Sequence, residues 1–508
     1  MGAVTAGETA PETLHMGTPR ARWVLLTTVL GSSLAMLDAT VVNVALERIG
    51  TDLDADFAGL QWTVNAYTLT LAALILLGGS LGDRFGRRRV FVLGVVWFAA
   101  ASLLCGLAPN VGMLVAARAL QGIGGALLTP GSLAIISASF HGRDRAAAIG
   151  AWSGLGGVGG AIGPFVGGWL VEWNWRAVFL INLPLAAAIV WIAVRHVPET
   201  RDPDAAPHLD WPGTLAVVVG LAGLTYALTA ASDGLSGTVL TAGLVGVVAL
   251  AVFVTVELRS SHPLVPPRLF ADRQFSATNA VTLLVYAALG ALFVLLVLHL
   301  QVVAGYSPLL AGTALLPVTV LMLLFSSRVG SLSQRFGPRL FMTAGPLVAA
   351  LGVLLLRAIG PDASYLLAVL PGALVFGAGL TLTVAPLTAT VLDSAPDRFA
   401  GVASGVNNAV ARAAGLLAVA VVPVLAGIGG EDYTDPDAFA AGFRSAMLVC
   451  AVLLAAGGVL ALLTIRRPLA AVPTTVAAAP SDEDRVPIER CAHCGVSGPQ
   501  LHPSQHTH

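Results

Sequence analysis

The chain has no lysine: all 27 of its basic residues are arginine. No P-loop lysine can meet ATP phosphates and no Schiff base can form, so any ATP would have to be spent by another subunit. Charge of either sign is scarce, at 11% of the residues, where soluble domains carry about 25%. Hydrophobic residues make up 56% of the 508, and the mean hydropathy is +0.83. So much apolar surface is tolerated only against lipid. A net charge of -1 gives no bulk attraction to nucleic acid. The four cysteines, Cys105, Cys450, Cys491 and Cys494, do not make a disulfide framework. Nor is there an intramembrane cluster of His or Glu to hold a catalytic metal, so an enzyme is not expected. No short apolar stretch with a small-residue cleavage site opens the chain. About twenty polar residues lead through Arg20 and Arg22 into an apolar run, which reads as an uncleaved first helix.

What the chain does have is long hydrophobic runs. A membrane helix needs about 20 mostly apolar residues. Fourteen candidates begin near Trp23, Leu60, Val90, Val111, Arg145, Ala177, Pro212, Thr238, Ala277, Leu309, Leu340, Tyr365, Gly401 and Arg444. The third, fifth and thirteenth are rich in glycine and alanine. Cytoplasmic loops retain basic residues, so arginine placement sets the orientation. With the N-terminus inside, 21 arginines fall on the inner side and only Arg48, Arg176, Arg357 and Arg444 on the outer side. Arg118 and Arg412 lie within spans. The outer loops are acidic instead, with Asp52, Asp54, Asp56, Glu431, Asp432, Asp435 and Asp437. A miscounted helix would scramble this split. Both termini are therefore expected on the cytoplasmic side of a bacterial plasma membrane.

One basic loop is written twice. Gly79-Ser80-Leu81-Gly82-Asp83-Arg84-Phe85-Gly86-Arg87-Arg88-Arg89 follows the second span. A degraded copy, Gly330-Ser331-Leu332-Ser333-Gln334-Arg335-Phe336-Gly337-Pro338-Arg339, follows the tenth. Duplicated helical bundles in membranes are mostly transporters. Eight spans separate the copies where two six-helix halves would give six, so two extra helices lie in the middle. The expected organisation is a cytoplasmic N-terminal segment (1–21), a six-helix bundle (22–195), a linker (196–211), two inserted helices (212–258), a cytoplasmic loop (259–276), a second six-helix bundle (277–467) and a disordered cytoplasmic tail (468–508). The fold class is an all-α integral membrane protein.

Few residues carry chemistry. Asp38 sits in the first span, where a charge costs about 2.5–3.5 kcal/mol on insertion scales. It is either a structural acid paired with a neighbour or a proton site. It lies fourteen residues beyond Val24, about 21 Å along the helix and so in the outer half of the membrane. Arg118, in the fourth span, sits about 10 Å in from the outer side. Sequence gives their shared depth but not whether they touch. Burial favours a neutral carboxyl and a guanidinium favours a charged one, and that opposition permits switching. Arg118 cannot deprotonate and supplies a fixed positive charge, catalytic or merely architectural. In the fifth span, Gly156 and Gly160, and Gly159, Gly163 and Gly167, form smooth strips for close helix approach, and Pro164 permits a bend. In the basic loop Gly79, Gly82 and Gly86 allow a tight turn, Asp83 can cap or pair, and Arg84, Arg87, Arg88 and Arg89 meet anionic headgroups. Its ordered spacing suggests a cytoplasmic latch, weaker in the second copy where Gln334 replaces the acid. Arg412 in the thirteenth span is a partner either for substrate or for a protein carboxylate. His299, near the outer end of the ninth span, reads as interfacial. In the tail, Cys491-Ala492-His493-Cys494 with His502, His506 and His508 has zinc-ligand residue types, but one CxxC is not a zinc framework, and no metal is expected.

Together these motifs resemble the major facilitator superfamily, specifically its fourteen-helix drug–proton antiporters, over about Arg22–Arg467. The basic loop is similar to that family's signature after helix 2. Arg118, Gln121 and Gly122 match the helix 4 signature, and Gly154–Gly168 the antiporter motif of helix 5. Asp38, Thr40 and Asn43 match the helix 1 signature of the fourteen-helix branch. The resemblance implies alternating access by rocking of two halves, proton influx down the proton-motive force with no other cofactor, and export of hydrophobic or amphipathic drugs. It makes Asp38 and Arg118 the coupling pair and Asn43, Gln121, Asn408 and Arg412 cavity candidates. Relatives that export divalent organic cations carry further intramembrane acids. Here Asp38 is the only deep one, which favours neutral, zwitterionic or singly charged substrates. The expected partners are protons, lipid and a small amphipathic substrate, with the protein a monomer. Export of a single endogenous metabolite or lipid, and a receptor or scaffold that kept the fold without transport, remain open on these residues.

Overall fold

The computed structural model describes residues 14–202, 209–231, 234, 236–260, 263, 265–395, 400–429 and 435–466. Within these ranges the side chains at 142, 143, 146, 150, 153, 154, 156–161, 400 and 401 are not described. The described residues fold into helices and short connections. In order they are α1 (Pro19–Leu53), α2 (Phe57–Phe85), α3 (Arg87–Gly106), α4 (Val111–Ser139), α5 (Gly142–Trp173), α6 (Ala177–Leu180), α7 (Asn182–His196), α8 (Trp211–Ala230), α9 (Gly237–Arg259), α10 (Pro267–Ala271), α11 (Arg273–Val302), α12 (Pro308–Thr313), α13 (Leu316–Phe336), α14 (Pro338–Leu356), α15 (Leu370–Asp393), α16 (Ala400–Ala426) and α17 (Pro436–Thr464). A π-helical turn, Tyr365–Val369, leads into α15. Counting α6 with α7 and α12 with α13, each of the fourteen expected spans has its helix. Thirteen are long and apolar enough to cross a membrane, and α5 supplies the remaining long segment.

The chain starts and stops its helices with local chemistry. Thr18 caps α1 ahead of Pro19, Asp56 caps α2 through Gly59 N at 2.8 Å, and Asn110 caps α4 through Met113 N at 2.9 Å. The duplicated loop is duplicated in space as well. Gly86 (φ 113°) separates α2 from α3, and Gly337 (φ 87°) separates α13 from α14. Each donates its N–H four residues back, to Gly82 O and to Ser333 O. Both glycines hold a left-handed backbone that L residues resist, which is why glycine survives in an otherwise degraded copy.

Helices α1–α7 and α11–α17 are the two halves, each with six long segments. The inserted pair α8–α9 packs along α2 and α16, so α8 touches both halves. Helix α9 has little other contact and presents Leu240, Leu244, Val247, Val248 and Val254 outward, as a lipid-facing helix should. The buried apolar residues show where the halves meet. The outer part of the first half (Val41 to Ile49, Phe57, Leu60, Leu114, Trp175) shares one continuous core with α11 and the helices after it. The inner part (Val24, Phe91, Val95, Ile135, Phe140, Val197) forms a separate core of its own. The interface is therefore closed at the end of the bundle where α1 connects to α2. Three pairings close it: α1 with α11, α2 with α16, and α5 with α12.

Candidate functional site: a buried charge cluster at the outer half of the first bundle

Asp38 and Arg118 touch. Arg118 Nη1 donates to Asp38 Oδ2 at 2.5 Å, and the two side chains are 1% and 0% exposed. Helix α1 carries Asp38 inward and α4 carries Arg118 to meet it. Burial on this scale is tolerated only when every charge is paired. Asp38 Oδ1 accepts two more bonds, from Gln121 Nε2 at 2.8 Å and from Asn182 Nδ2 at 2.9 Å. Gln121 and Asn182 also donate to Ser102 Oγ, at 2.6 and 3.0 Å. Arg118 is held independently of the acid. Its Nε donates to Thr63 O at 3.1 Å, Nη1 donates to Gln121 Oε1 at 2.5 Å, and its plane lies 4.4 Å from the Tyr67 ring centre. The Tyr67 hydroxyl in turn donates to Ala35 O at 3.3 Å.

Five helices thus converge on one carboxylate: α1, α2, α3, α4 and α7. Its two oxygens accept from three donors. A proton taken up at Oδ1 removes the carboxylate charge and weakens the Arg118 bond at Oδ2, which becomes a bond to a neutral acceptor. The new O–H needs an acceptor, and a buried one waits. Asn182 Oδ1 has no hydrogen-bond partner among the described residues, and a half-turn of that amide presents it to Asp38. Sequence reading missed Asn182, Ser102, Thr63 and Tyr67. Asn182 is the first residue of α7, just past the break at Ile181, and a lone Asn in an apolar run gave a usable signal. The carbonyl of Thr63 and the small hydroxyl of Ser102 gave none.

Asn43 lies further along α1, with its Oδ1 buried and unpartnered among the described residues. It does not join the Asp38 cluster. One turn from Asp38, α1 turns to α5. A Cβ on Gly163 would collide with Thr40 Oγ1, and one on Gly167 would stand 3.0 Å from Val41 Cα. The next face of α5 belongs to the other half: Gly168 abuts Leu309 of α12, its would-be Cβ 2.5 Å from Leu309 Cα, and the Pro164 carbonyl packs on Gly312. The glycine motif is thus the outer contact between halves. Gly156 and Gly160 fall on α5, but their surroundings lie outside the described residues. Outward of these contacts, Gln301 Nε2 of α11 donates to Val44 O at 3.2 Å, and Gln61 Nε2 of α2 donates to Val419 O of α16 at 2.7 Å.

The basic loop is tied to the end of its own half. Arg87 Nε donates to Asp83 Oδ1 at 2.9 Å, and Arg87 N donates to Thr200 O at 2.9 Å. Arg88 N donates to Glu199 Oε1 at 3.1 Å and Arg88 Nη1 to Val197 O at 3.0 Å, while Arg89 stands 3.6 Å from Glu199 Oε2. Arg84 lies over the Phe85 ring at 5.3 Å. Gly79 faces Pro130 of α4. The long-range bonds of this loop run to residues 197–202, the segment that follows α7.

In the second half, Asn407 makes interhelical bonds, donating to Asn279 Oδ1 at 3.2 Å and Thr282 Oγ1 at 2.8 Å. Asn408 is exposed and donates to Ser404 O of its own helix at 3.0 Å. His299 is not interfacial. It is fully buried, paired through Nε2 with Ile359 O at 2.9 Å and stacked on Phe443 with centroids 3.8 Å apart. The apolar run around it gave no hint that α11 passes through the second half's interior. Cys491 and Cys494 lie outside the described residues. Among the described residues no group of three or more His, Cys, Asp or Glu is placed to hold a metal.

The sequence matches the family model described as Major Facilitator Superfamily over residues 28–419. It is 37% identical over 410 residues to the puromycin resistance protein pur8 of Streptomyces alboniger, covering 80% of this chain and 81% of that protein. It is 35% identical over 389 residues to the multidrug resistance protein Stp of Mycobacterium tuberculosis, covering 76% and 72%. The fold is similar to a bacterial homologue of the human lysosomal transporter Spinster, solved inward-facing and unoccupied. The TM-score is 0.64 at 19% identity, over 89% of this chain and 98% of that one.

Proposed function

We infer that this chain, which belongs to the Major Facilitator Superfamily, is a drug exporter of the bacterial cytoplasmic membrane that exchanges protons for small amphipathic compounds. Export is supported by relatives named for puromycin and multidrug resistance. Coupling to protons rests on one observation: a fully buried carboxylate, Asp38, holds a guanidinium that cannot give up its own charge.

In the outer-closed arrangement Asp38 is charged and its three donors lock α1 to α4 and α7. Protonation from the outer side, once the halves part there, removes the charge that holds Arg118 and places an O–H at Oδ1 for Asn182 Oδ1 to accept. Helix α1 is then free to shift against α5 at Gly163 and Gly167. That contact continues through Pro164 and Gly168 into α12, so a change at one acid is transmitted to the interface between halves. Gln121 moves with the pair, and Asn43, further out on α1, lines the path. The basic loop acts as a cytoplasmic latch: Asp83, Arg84, Arg87 and Arg88, positioned by Gly79 and Gly86, reach the second half when the inner side closes. Both termini are cytoplasmic, and one chain forms the whole path, so the working unit is a monomer.

The test is uptake of a panel of unrelated amphipathic compounds into inverted membrane vesicles under an imposed pH gradient. Wild type should accumulate several compounds and lose them when a protonophore is added. Asp38→Asn should accumulate none while reaching the membrane in equal amount. Accumulation that survives collapse of the gradient would refute the coupling. Movement of one compound only would favour a dedicated exporter.

A further inference from the structure

Arg412 is a charge without a partner. It is the thirteenth of the 27 residues of α16, so it lies at mid-span. Among the described residues it makes no hydrogen bond and no ion pair, although it is half-buried. The other deep arginine, Arg118, is spent on Asp38. Of the remaining acids in these helices, Glu257 and Asp393 stand at the ends of α9 and α15. A cation at that depth is kept only where it faces a wet cleft or awaits an anion.

The helix registers fix what surrounds it. Helices α2 and α16 run antiparallel, with Gln61 meeting Val419 and Leu76 meeting Gly405. Position 412 is therefore level with Thr68 and Leu69 of α2. Helices α11 and α16 run parallel, with Asn279 and Thr282 meeting Asn407, and Gly290 meeting Gly415. Position 412 is therefore level with Tyr286. Helix α16 packs on α2 of the first half and on α11 of the second, so position 412 lies at mid-span on a helix shared by both, where alternating access places a cargo. A second polar group lies about one helical turn away. Asn65 is one helical turn from Gln61 on the face of α2 that meets α16. It is 0% exposed, and neither its Nδ2 nor its Oδ1 has a hydrogen-bond partner among the described residues. A buried amide with both ends unmet is costly unless something else meets it.

We propose that the cargo of this exporter is an amphipathic monoanion whose carboxylate is received by Arg412, with Asn65 donating to the same or a neighbouring oxygen. The arginine fork suits a carboxylate in a way that an ammonium does not. An unpartnered guanidinium also disfavours cationic cargo. This rests on the export reading above and narrows it to a substrate class.

The test uses the full chain in phosphatidylcholine nanodiscs, with anthracene-9-carboxylate and anthracene-9-carboxamide as fluorescent ligands that differ only in the acid. Wild type should prefer the carboxylate. Arg412→Gln should cut that preference about ten- to a hundred-fold, the worth of a charged hydrogen bond. Arg412→Lys should retain only part of it, since the charge stays and the fork is lost, and Asn65→Leu should lower it less than Arg412→Gln. An unchanged preference in Arg412→Gln, or no preference in wild type, overturns the proposal. So does displacement of the carboxylate by added phosphatidylglycerol, if binding of that lipid is itself lost in Arg412→Gln, because the site then belongs to a lipid phosphate. The two readings fail separately. A carboxylate preference that depends on Arg412, together with transport indifferent to the proton gradient, would sink the coupling and leave this site standing.

Discussion

Asp38→Asn and Arg118→Gln, alone and combined, separate what the buried pair does for the fold from what it does for transport. Asp38→Asn keeps the side-chain shape and an acceptor oxygen. It leaves Arg118 charged in a site where it is 1% exposed, with only neutral acceptors: the new amide oxygen, Thr63 O and Gln121 Oε1. Breaking a buried pair in this way costs about 3–5 kcal/mol, mostly the uncompensated charge. Arg118→Gln does the converse: it strands a carboxylate that keeps only the Gln121 and Asn182 amide donors. The double variant has no buried charge, and four amides can exchange bonds around Ser102. Its stability should lie within about 1–2 kcal/mol of wild type, giving a coupling energy of several kcal/mol, above the usual range of about 0.5–3 for neighbouring residues. Unfolding by SDS titration in mixed micelles measures all four proteins. The double variant should be rescued in stability and remain dead in gradient-driven export, because no group is left to carry the proton. Additive stability losses would refute the pairing energetics. A stable double variant that still exports under a pH gradient would refute the assignment of the proton to Asp38.

Other residues give independent checks. Gly168→Val drives a branched side chain into Leu309, where even a Cβ would be 2.5 Å from the backbone. Overpacking of about 1–3 kcal/mol should shift the population away from the outer-closed state by about 5- to 150-fold, read as faster labelling of a cysteine placed at Leu310 from outside. Asn182→Leu keeps the volume but removes the acceptor awaiting protonated Asp38. Gradient-driven uptake should fall at least about tenfold, the loss of one buried acceptor, with exchange of substrate for substrate less affected. Equal loss in both modes would make Asn182 a mere packing residue. Glu199→Gln weakens the hold on Arg88 and Arg89, a partly exposed contact worth under about 1 kcal/mol. Stability should be unchanged while trypsin cleavage at these arginines in inverted vesicles becomes faster.

Much of this was legible in the chain because membrane physics writes itself plainly. Each apolar run became a helix, since lipid leaves the backbone no other way to satisfy its own bonds. The repeated Gly-x-x-x-Gly and Ser-x-x-x-Gly endings of the two basic loops marked the duplication, and Gly86 and Gly337 hold the same left-handed turn. The depth of Asp38 and Arg118 followed from counting residues. Their contact did not, because rise along a helix fixes height and not azimuth. Helix breaks were less visible: Ile181 interrupts one span just ahead of Pro184, and Ala314–Leu315 another just ahead of Pro317. The basic loop's spacing suggested a latch but not its tie to Glu199, which lies more than a hundred residues away. That Asn407 meets α11 while Asn408 is exposed is a matter of about one hundred degrees of helix rotation, on which a single sequence is silent.

The account stands on one acid that takes up a proton as cargo leaves. Proton release is its most direct measure: add a transported compound to purified protein in weakly buffered detergent solution and follow a pH indicator. Wild type should release protons in proportion to compound bound, and Asp38→Asn should bind the compound and release none. Equal release from both proteins would contradict the account.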